Sequence, residues 1–301
     1  MSAGLAWIAV DWGTSALRAW GLDAGGSVVQ SARSDRGMGQ LAPEGFEPAL
    51  LELVGDWLPE GIVTQVVVCG MAGARQGWVE APYAAVPCAP TGDGVMQAPT
   101  RDPRLSVRIL SGLSQAAPAD VMRGEETQVA GLLATRPKFD GIVLLPGTHT
   151  KWVHVSAGEV VSFRSFMTGE LFALLSTQSV LRHSLGAETP DLAAFDAAVA
   201  ATLSRPERMA AELFSIRAAD LLLGQPGGAA WGRLAGLLIG AELAATRAYW
   251  LGQQLAVLDN GAQADLYARA LEAQGAVILR EAAAAMTLAG LKAAHARLTE
   301  A

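Results

Sequence analysis

Residues 8–20 read Ile-Ala-Val-Asp-Trp-Gly-Thr-Ser-Ala-Leu-Arg-Ala-Trp, and this stretch decides the fold. An apolar run over residues 5–10 ends in the carboxylate of Asp11 and turns through a glycine followed by two hydroxyl side chains. A second, amphipathic run follows over residues 16–22, so the pattern predicts a β-hairpin. Successive backbone N–H groups at such a turn form an anion-binding concavity. We therefore predict a hairpin whose tip holds phosphate.

The side chains of this hairpin indicate how phosphate is held. Asp11 ends a buried strand, where a carboxylate is costly unless it meets a cation, and hydrated Mg²⁺ is the usual cation beside nucleotide phosphates. Gly13 permits close approach to the backbone, and Thr14 and Ser15 add hydroxyl donors. The guanidinium of Arg18 suits a phosphate or a carboxylate. The alternative is an ordinary hairpin with a turn glycine and an exposed arginine.

Composition excludes several classes of protein. The chain has 301 residues, of which 51% are hydrophobic and 17% charged, as expected for a globular protein long enough for two modest domains. Its net charge of −7 argues against nucleic acid as a partner. The most apolar stretch, residues 234–245, contains Glu242 and is shorter than the roughly 20 residues that a membrane span needs. We predict no membrane partner.

The chain also carries signals of its compartment. No basic region precedes the apolar residues near the N-terminus, so we predict no secretory signal. Cys69 and Cys88 lack the spacing of a metal site, and we expect both to be reduced and structural. Together these features predict a cytoplasmic protein.

Residues 70–104 differ from their surroundings because glycines and prolines recur throughout the segment. A loop-rich segment inside a compact chain typically carries binding residues. Around it, apolar patterning predicts an α/β order. The predicted elements are strands at 27–34, 65–69 and 107–110 and helices at 44–58 and 121–136.

The second half of the chain repeats the pattern of the first. A strand at 141–145 is followed by Pro-Gly-Thr-His-Thr-Lys-Trp at 146–152 and a further short strand. Strand, glycine, hydroxyl and a cation-bearing strand thus recur, which predicts a duplicated fold that holds phosphate from both sides. Beyond this hairpin we predict helices at 169–181, 191–203, 206–223 and 229–250, a strand at 254–258, and helices to the end.

Longer signatures surround the two hairpins. They read Val-Asp-Trp-Gly-Thr-Ser at 10–15, Gly-Met-Ala-Gly-Ala-Arg-Gln-Gly-Trp-Val-Glu-Ala-Pro-Tyr at 70–83, Val-Met-Arg-Gly-Glu-Glu-Thr-Gln at 121–128, Leu-Pro-Gly-Thr-His-Thr-Lys-Trp at 145–152 and Phe-Met-Thr-Gly-Glu-Leu-Phe at 166–172. In this order they resemble the 2-keto-3-deoxygalactonokinase family, within the acetate and sugar kinase/Hsp70/actin superfamily.

The resemblance implies an α/β fold of two RNase H-like, actin-like ATPase domains with an ATP cleft between them. Residues 1–118 would form the N-terminal domain, with the first hairpin and the substrate loops. Residues 119–301 would form the C-terminal domain, with the second hairpin and the adenosine region, and its final helix would pack back on the first domain. The implied reaction is transfer of the γ-phosphoryl group of ATP, with Mg²⁺, to the 6-hydroxyl of 2-dehydro-3-deoxy-D-galactonate, a step of D-galactonate catabolism.

In the second hairpin, Gly147 would permit close approach to the backbone, and Thr148 and Thr150 would bind phosphate oxygens. Lys151 either neutralises phosphate charge or lies outside as a strand-edge lysine. His149 is expected to be a hydrogen-bonding neighbour rather than a metal ligand, since no second ligand has suitable spacing.

The adenosine region departs from the family pattern. The family tends to a Gly-Ser-type turn after the late strand, whereas this chain reads Leu-Asp-Asn-Gly-Ala at 258–262. An Asn-Gly pair still suits a tight turn into a helix, so we expect Asn260 and Gly261 to contact the nucleotide.

The catalytic base is expected from Glu125 or Glu126, which follow Gly124 near a predicted helix start. There the helix dipole stabilises the ionised carboxylate that accepts a proton. Glu126 shares a helical face with Met122 and Val129, which turns it inward and makes it the preferred base. The alternative is a pair of first-turn charges on a solvated helix.

The remaining predicted residues bind the keto acid. Arginines suit its carboxylate, tryptophans its carbon skeleton, and polar residues around a helix start its hydroxyls. For the tryptophans the alternative is packing, and for Thr168 and Glu170 it is helix capping. The predicted substrate residues are Arg18, Arg75, Arg164, Trp12, Trp78, Thr168, Glu170 and His183.

Two other functions stay open from the sequence. An exopolyphosphatase-like phosphatase shares both hairpins and a Gly-Glu-Glu helix, but uses water as the nucleophile. A non-catalytic regulator that binds nucleotide or sugar acid is the other alternative. The predicted partners are ATP and a 2-keto-3-deoxy sugar acid, with a homodimer as the expected assembly.

Overall fold

The computed structural model describes residues 4–91, 94–186, 189–259 and 261–300. Across these ranges the chain forms fourteen strands and nine α-helices. The strands are β1 Trp7–Trp12, β2 Leu17–Leu22, β3 Val28–Ser34, β4 Thr64–Gly70, β5 Tyr83–Ala85, β6 Val95–Gln97, β7 Leu105–Leu110, β8 Gly112–Ala116, β9 Ala119–Met122, β10 Gly141–Leu145, β11 Thr150–Ser156, β12 Glu159–Phe166, β13 Leu255–Asp259 and β14 Ile278–Ala282. The helices are α1 Phe46–Val54, α2 Glu125–Thr135, α3 Thr168–Thr177, α4 Leu192–Ser204, α5 Met209–Leu223, α6 Gly227–Ala245, α7 Arg247–Trp250, α8 Ala262–Glu272 and α9 Ala283–Glu300.

Two compact units divide the chain. Unit 1 comprises the residues up to Asp140, the segment Val155–Phe163 and the residues from Glu281 onward. Unit 2 comprises Gly141–His154 and Arg164–Arg280. The sequence-based boundary, between residues 118 and 119, falls inside unit 1, in the turn between β8 and β9. These two strands pair antiparallel, so a division there would separate the arms of one hairpin.

The first sheet has the strand order β3-β2-β1-β4-β7-β6. β1 pairs antiparallel with β2 and parallel with β4, and β4 pairs parallel with β7. Both faces of β1 are covered: Ile8 and Val10 share a core with Phe46 of α1, while Trp7 shares another with Leu291 of α9. A strand buried on both faces holds its C-terminal end, where Asp11 lies, in one position.

Helix α2 packs on α9 at backbone distance because two glycines meet there. A Cβ at Gly131 would lie 1.9 Å from the carbonyl oxygen of Met286, and one at Gly290 would lie 1.9 Å from the carbonyl oxygen of Thr127. Even one methyl group has no room at such a contact. Because α9 also packs on β1 and β4, the start of α2 is tied to the first sheet.

The second sheet has the order β12-β11-β10-β13-β14 and repeats the topology of the first. Each sheet begins with its third, second, first and fourth strands in chain order, and β10 pairs parallel with β13 as β1 does with β4. The first sheet then continues with β7 and β6, and the second ends with β14. The duplicated fold predicted from the two hairpins is therefore confirmed.

Helix α6 carries the most apolar stretch of the sequence and is buried against α4. Gly232, Gly236 and Gly240 form its contact face, and a Cβ at Gly236 would lie 2.5 Å from the carbonyl oxygen of Phe195. In the part of the chain that the structure describes, no helix has both the length and the apolar character needed to cross a bilayer.

The structure differs from the sequence prediction in the middle of unit 1. Residues 112–122 form the hairpin β8–β9, and β8 pairs with the short strand β5 of the loop-rich segment. Helix α2 consequently begins at Glu125 rather than at residue 121. Strands β12 and β14 were not predicted either. Of the two, β14 lies where the sequence indicated helices.

Candidate active site

The first phosphate hairpin forms between β1 and β2. The N–H of Gly13 donates to the carbonyl oxygen of Ala16 at 2.9 Å, which closes the turn, and Thr14 and Ser15 are exposed at its tip. The segment before α1 packs against this turn, because a Cβ at Gly37 would lie 2.3 Å from the carbonyl oxygen of Thr14. The tip therefore offers its hydroxyl groups to solvent while its backbone is held in place.

Asp11 meets its cation inside the hairpin. Arg18 stands opposite Asp11 in the strand register, and its Nη2 donates to Oδ2 of the carboxylate. The other carboxylate oxygen, Oδ1, lies 3.9 Å from the thiol of Cys69. Arg18 is thus engaged with Asp11 and is not free to bind a substrate carboxylate. This corrects the prediction from the sequence that Arg18 is a substrate residue.

Two glycines bring the end of β4 and the start of α2 to Asp11. Gly70 and Gly124 have φ angles of +87° and +112°, which residues with a side chain rarely adopt. A Cβ at Gly70 would lie 2.6 Å from the carbonyl oxygen of Trp12 and 3.7 Å from Oδ1 of Asp11. A Cβ at Gly124 would lie 3.4 Å from the Cα of Gly70. The first hairpin and the Glu125–Glu126 pair therefore belong to one site in unit 1.

Glu126 is 1% exposed, and each of its two carboxylate oxygens accepts a hydrogen bond. Its Oε2 accepts the N–H of Gly124 at 2.6 Å, and its Oε1 accepts the hydroxyl of Thr127 at 3.1 Å. Burial, followed by the charge of Glu125, raises the pKa of Glu126 from 4.5 to about 7. Glu126 points inward, as predicted, but so completely that its carboxylate does not face solvent.

Glu125 lies in a different environment one residue earlier. It is half-buried, and its Oε2 accepts the backbone N–H of Arg123 at 3.1 Å. It occupies the first turn of α2. Of the two glutamates, Glu125 is the more exposed.

A chain of polar contacts joins Asp11 to Glu126. The thiol of Cys69 lies near Asp11 on one side, and on the other it contacts the hydroxyl of Thr127, which donates to Glu126. Burial, followed by the charges of Asp11 and Glu126, raises the pKa of the Cys69 thiol, so the thiol stays protonated. We call these four residues, Asp11, Cys69, Glu126 and Thr127, the acid cluster.

The second phosphate hairpin forms between β10 and β11, and the start of α3 holds its tip. A Cβ at Gly169 would lie 2.3 Å from the carbonyl oxygen of Gly147, and the N–H of Glu170 donates to the carbonyl oxygen of Thr148 at 2.9 Å. Nε2 of His149 lies 2.5 Å from Oε2 of Glu170. Thr148 and His149 are exposed, and Glu170 is engaged with the hairpin itself.

Thr150 and Lys151, which follow the tip, are buried. Nζ of Lys151 donates to the carbonyl oxygen of His149 at 3.2 Å, so the alternative of an outward strand-edge lysine is wrong. The hydroxyl of Thr150 lies 3.1 Å from the hydroxyl of Tyr267. Neither side chain reaches the exposed surface of the tip in this structure.

Below the second hairpin, Glu242 accepts three hydrogen bonds. The donors are Nε1 of Trp152 at 2.7 Å, the hydroxyl of Tyr267 at 2.6 Å and the hydroxyl of Thr168. Burial raises the pKa of Glu242 although all three donors favour its ionised form. Thr168 is therefore committed to this network, and the N-cap of α3 is Met167 rather than Thr168.

An apolar cavity of about 430 Å³ adjoins the second hairpin in unit 2. Phe172 and Trp231 line it as a tilted aromatic pair with ring centroids 4.7 Å apart. Gln263 of α8 also lines the cavity, and its Nε2 donates to the carbonyl oxygen of Gly147 at 3.1 Å. The cavity and the hairpin tip are thus linked through one side chain.

The turn into α8 borders the same cavity. The N–H of Gly261 donates to Oδ1 of Asp259 at 2.8 Å, and Arg280 pairs with both Asp259 and Asp265. Asp265 lines the cavity. Asn260, the other residue predicted to contact the nucleotide, lies outside the described residues.

The two tryptophans predicted to contact substrate belong to the core. Trp12 is fully buried, and its Nε1 donates to the carbonyl oxygen of Arg36 at 3.1 Å. Nε1 of Trp78 donates to the carbonyl oxygen of Pro99 at 3.2 Å, and both rings pack on Phe46. Trp12 is buried and its indole N–H has a partner, so the prediction that it contacts substrate is corrected to packing. The same features favour packing for Trp78.

The remaining predicted substrate residues lie on the surface. Arg75 has an 81% exposed side chain, with Glu80 at 3.9 Å as its ion-pair partner. Arg164 and His183 are also exposed, in unit 2.

Several residues of the site were not predicted as functional. Cys69 and Thr127 connect the acid cluster, and Glu242 organises the second hairpin. For Glu242 the sequence does carry a signal, because a carboxylate inside the most apolar stretch has to find buried donors. Cys69 and Thr127 carry none, since a cysteine is commonly a small core residue and a threonine is commonly a surface residue.

The donor set near Asp11 fits one mode of magnesium binding. Among the described residues, no group of three or more His, Cys, Asp or Glu side chains could hold a metal ion. Mg²⁺ that keeps several waters and binds through one carboxylate and substrate phosphates does not need such a group. Asp11, half-buried beside the exposed hairpin tip, is the carboxylate that suits this mode.

Two sheets of one topology, each opening in a glycine and hydroxyl hairpin, define an actin-like ATPase fold of two RNase H-like domains. The activator of 2-hydroxyisocaproyl-CoA dehydratase from Clostridium difficile, solved with bound ADPNP, has this fold. Its TM-score is 0.50, at 13% sequence identity over 98% of this chain and 97% of that chain. At this identity the likeness shows the fold alone.

The family model of 2-keto-3-deoxy-galactonokinase matches residues 11–294, and the chain belongs to this family. It is 35% identical over 294 residues to 2-dehydro-3-deoxygalactonokinase of Escherichia coli (strain K12), which covers 96% of this chain and 98% of the relative. A crystal structure from Sinorhizobium meliloti, described as a candidate 2-dehydro-3-deoxygalactonokinase, has a TM-score of 0.89 and 37% identity, over 97% and 96% of the two chains. Family membership confirms the predicted class, an ATP-dependent carbohydrate kinase.

Proposed function

We propose that the protein transfers the γ-phosphoryl group of ATP to the 6-hydroxyl of 2-dehydro-3-deoxy-D-galactonate. The observation that carries the proposal is the Glu125–Glu126 pair at the start of α2, which Gly124 and Gly70 bring to the strand end of Asp11. Phosphoryl transfer asks a protein mainly for positioned charge, with a carboxylate to orient the attacking hydroxyl. Family membership supports the choice of substrate.

We assign the base to Glu125. A base has to come within hydrogen-bond reach of the hydroxyl proton that it accepts. Glu126 is buried, and Gly124 and Thr127 occupy its two oxygens, whereas Glu125 is half-buried at a helix N-terminus. These contacts favour Glu125 over the neighbour that the sequence favoured, and they give Glu126 the part of a positioning residue.

The two hairpin tips suit the phosphates of ATP. The first offers the exposed hydroxyls of Thr14 and Ser15, the second that of Thr148, and each has a glycine that permits close approach. The proposed phosphate contacts are Gly13, Thr14, Ser15, Gly147 and Thr148. Thr150 and Lys151 act from their buried positions, by holding the second hairpin.

The apolar cavity of unit 2 suits the base of the nucleotide. Phe172 and Trp231 offer aromatic surface, and Gln263 links the cavity to the second hairpin. Gly261 belongs to the same proposed region, and nucleotide contact by Asn260, outside the described residues, stays a prediction from the sequence. Asp11 would hold Mg²⁺ through its water shell, and the ion when bound supplies charge neutralisation at the phosphates.

Other features predicted from the sequence stay predictions. In unit 2, Arg164, Thr168, Glu170 and His183 remain proposed substrate residues, with Thr168 and Glu170 acting through the contacts described above. In unit 1, Arg75 and Trp78 also remain proposed substrate residues. A cytoplasmic location and a homodimer are likewise predictions.

A coupled assay of ADP release tests the proposed function. With ATP and Mg²⁺, 2-dehydro-3-deoxy-D-galactonate should raise ATP consumption far above the rate without it, and phosphorus NMR should place the product phosphate on C6. The C4 epimer of the acid reports stereochemical preference. ATP consumption that does not depend on the sugar acid would instead indicate the exopolyphosphatase-like alternative.

Two variants test the base. Glu125→Gln should lower kcat by at least about 100-fold with ATP affinity unchanged, because it removes the proton acceptor and no nucleotide contact. Glu52→Gln, at an exposed surface ion pair, is the matched control. If Glu126→Gln is the inactive variant while Glu125→Gln turns over normally, the assignment belongs to the neighbour.

A further inference from the structure

Arg123 carries a buried guanidinium two residues before Glu125, and the hydrogen-bonding capacity of that guanidinium is only partly satisfied. The residue is 8% exposed. Its Nη2 donates to the carbonyl oxygen of Ala81 at 2.8 Å, and the ring centroid of Tyr83 lies 4.2 Å from the guanidinium carbon. Among the described residues, its Nε and Nη1 have no hydrogen-bond partner although both are buried.

Such an environment is costly for an arginine. A guanidinium stays charged at every physiological pH, so burial cannot be relieved by loss of a proton. One carbonyl and one aromatic face replace only part of its hydration, and an anion is the partner that completes it. Gly73 lets Arg123 sit there, because a Cβ at Gly73 would lie 2.7 Å from Nη1.

The position of Arg123 places this demand for an anion at the active site. Its backbone N–H donates to Oε2 of Glu125, the proposed base. The next residue, Gly124, contacts Gly70 at the end of β4. Arg123 therefore lies on the same short segment of unit 1 as Glu125 and Glu126.

The other arginines considered for the substrate carboxylate are less suited to it. Arg18 is engaged with Asp11, and Arg75 and Arg164 are exposed. A guanidinium in water binds a carboxylate weakly, because hydration and side-chain entropy oppose the ion pair. A guanidinium that is already desolvated and fixed by Ala81 and Tyr83 has lost both of these terms before the ligand arrives.

We propose that Arg123 binds the carboxylate of the 2-keto acid substrate, and so selects acids over neutral sugars. The inference rests on the proposed function and names the contact that recognises its substrate class. Tyr83 is 40% exposed and covers the guanidinium, so its ring moves aside when the carboxylate reaches Nε and Nη1. The carboxylate then supplies the missing hydrogen-bond acceptors as a charge-assisted pair.

Calorimetric binding without nucleotide tests the inference apart from turnover. The two probes are 2-dehydro-3-deoxy-D-galactonate and its neutral carboxamide. Wild-type protein should prefer the acid by roughly 10- to 100-fold, the range of a charge-assisted hydrogen bond. Arg123→Gln should abolish this preference, and ATP should bind with unchanged affinity. Arg136→Gln, which removes an exposed arginine at the other end of α2, should keep the wild-type preference.

Arg123→Lys covers the case in which the glutamine variant does not fold. It keeps the charge but replaces the planar fork by a single ammonium, so we expect an intermediate preference and a raised KM for the acid with kcat less affected. Circular dichroism and thermal unfolding report whether each variant is folded. A folded variant, glutamine or lysine, that binds acid and amide as wild type does would overturn the inference. Wild-type protein that binds neither probe would refute the proposed substrate instead.

Discussion

Glu126 makes the stability of the protein depend on pH in a way that can be calculated. Its pKa is raised from 4.5 to about 7, chiefly by burial and then by the charge of Glu125. Each tenfold change in a proton dissociation constant is worth about 1.4 kcal/mol. Ionising Glu126 in the folded protein therefore costs roughly 3 kcal/mol more than ionising it in the unfolded chain.

The sign of this effect follows from the two states. Below about pH 4.5 the glutamate is protonated whether the chain is folded or not, and the full stability is present. Between pH 4.5 and 7 the unfolded chain gives up the proton while the folded protein keeps it, so the free energy of unfolding falls. Above about pH 7 both states are ionised and the loss is complete.

Glu126→Gln removes this dependence because an amide does not titrate. We expect the free energy of unfolding of the variant, relative to wild type, to rise by roughly 2 to 3 kcal/mol between pH 5 and pH 8, from the two pKa values above. Urea unfolding at both pH values measures it. Glu52→Gln, at a 64% exposed side chain, should follow the wild-type curve. Parallel profiles for wild type and Glu126→Gln would refute the reasoning.

Three further substitutions test the packing around the two hairpins. Tyr267→Phe removes a buried donor to Glu242 and should lower the free energy of unfolding by about 1 to 3 kcal/mol in urea, whereas an unchanged curve would mean that the network is dispensable. Gly131→Ala places a methyl group against the Met286 carbonyl and should destabilise by about 3 kcal/mol or more; an unchanged melting temperature would contradict the close helix contact. Gly169→Ala displaces the second hairpin and should weaken ATP binding about tenfold in calorimetry, with the affinity for the sugar acid, proposed to bind at Arg123 of unit 1, unchanged.

The sequence predicts both phosphate hairpins because their signal is local. An apolar strand, a glycine and hydroxyl side chains lie within a dozen residues, and the strand pairing needs no distant partner. The pair β8–β9 escapes prediction for the opposite reason. Residues 112–122 are short and rich in small and polar side chains, and their strand conformation depends on pairing of β8 with β5.

Helix periodicity carries the orientation of Glu126 but not its surroundings. Spacing from Val129 on α2 turns it inward, and the structure buries it, although Met122, the other residue of the predicted face, lies in β9. That Cys69 and Thr127 fill the space between it and Asp11 depends on how β1, β4 and α2 meet, which no local pattern encodes. Partner choice in a core is a tertiary property.

The usual environment of a residue type was misleading for both an arginine and a tryptophan. Arginine is mostly exposed in proteins, so Arg123 passed as an ordinary polar residue within its signature. Tryptophans near loops suggested a substrate surface, yet Trp12 fills the core beside α1. A residue type predicts burial only on average, and functional sites are where the exceptions collect.

The glycines at and near the start of α2 explain how unit 1 accommodates the buried carboxylate of Glu126. Gly70 and Gly124 let two backbone segments meet without side chains between them, and the N–H of Gly124 donates to Glu126. Glu126 thereby gains a fixed donor, but only at a helix start that also presents Glu125 and Arg123. Because positive φ angles are required at both glycines, a side chain at either position would separate the acid cluster from the base and the guanidinium. The burial of Glu126 thus has one physical origin, the close approach of Gly70 and Gly124 that brings the start of α2 to the end of β1.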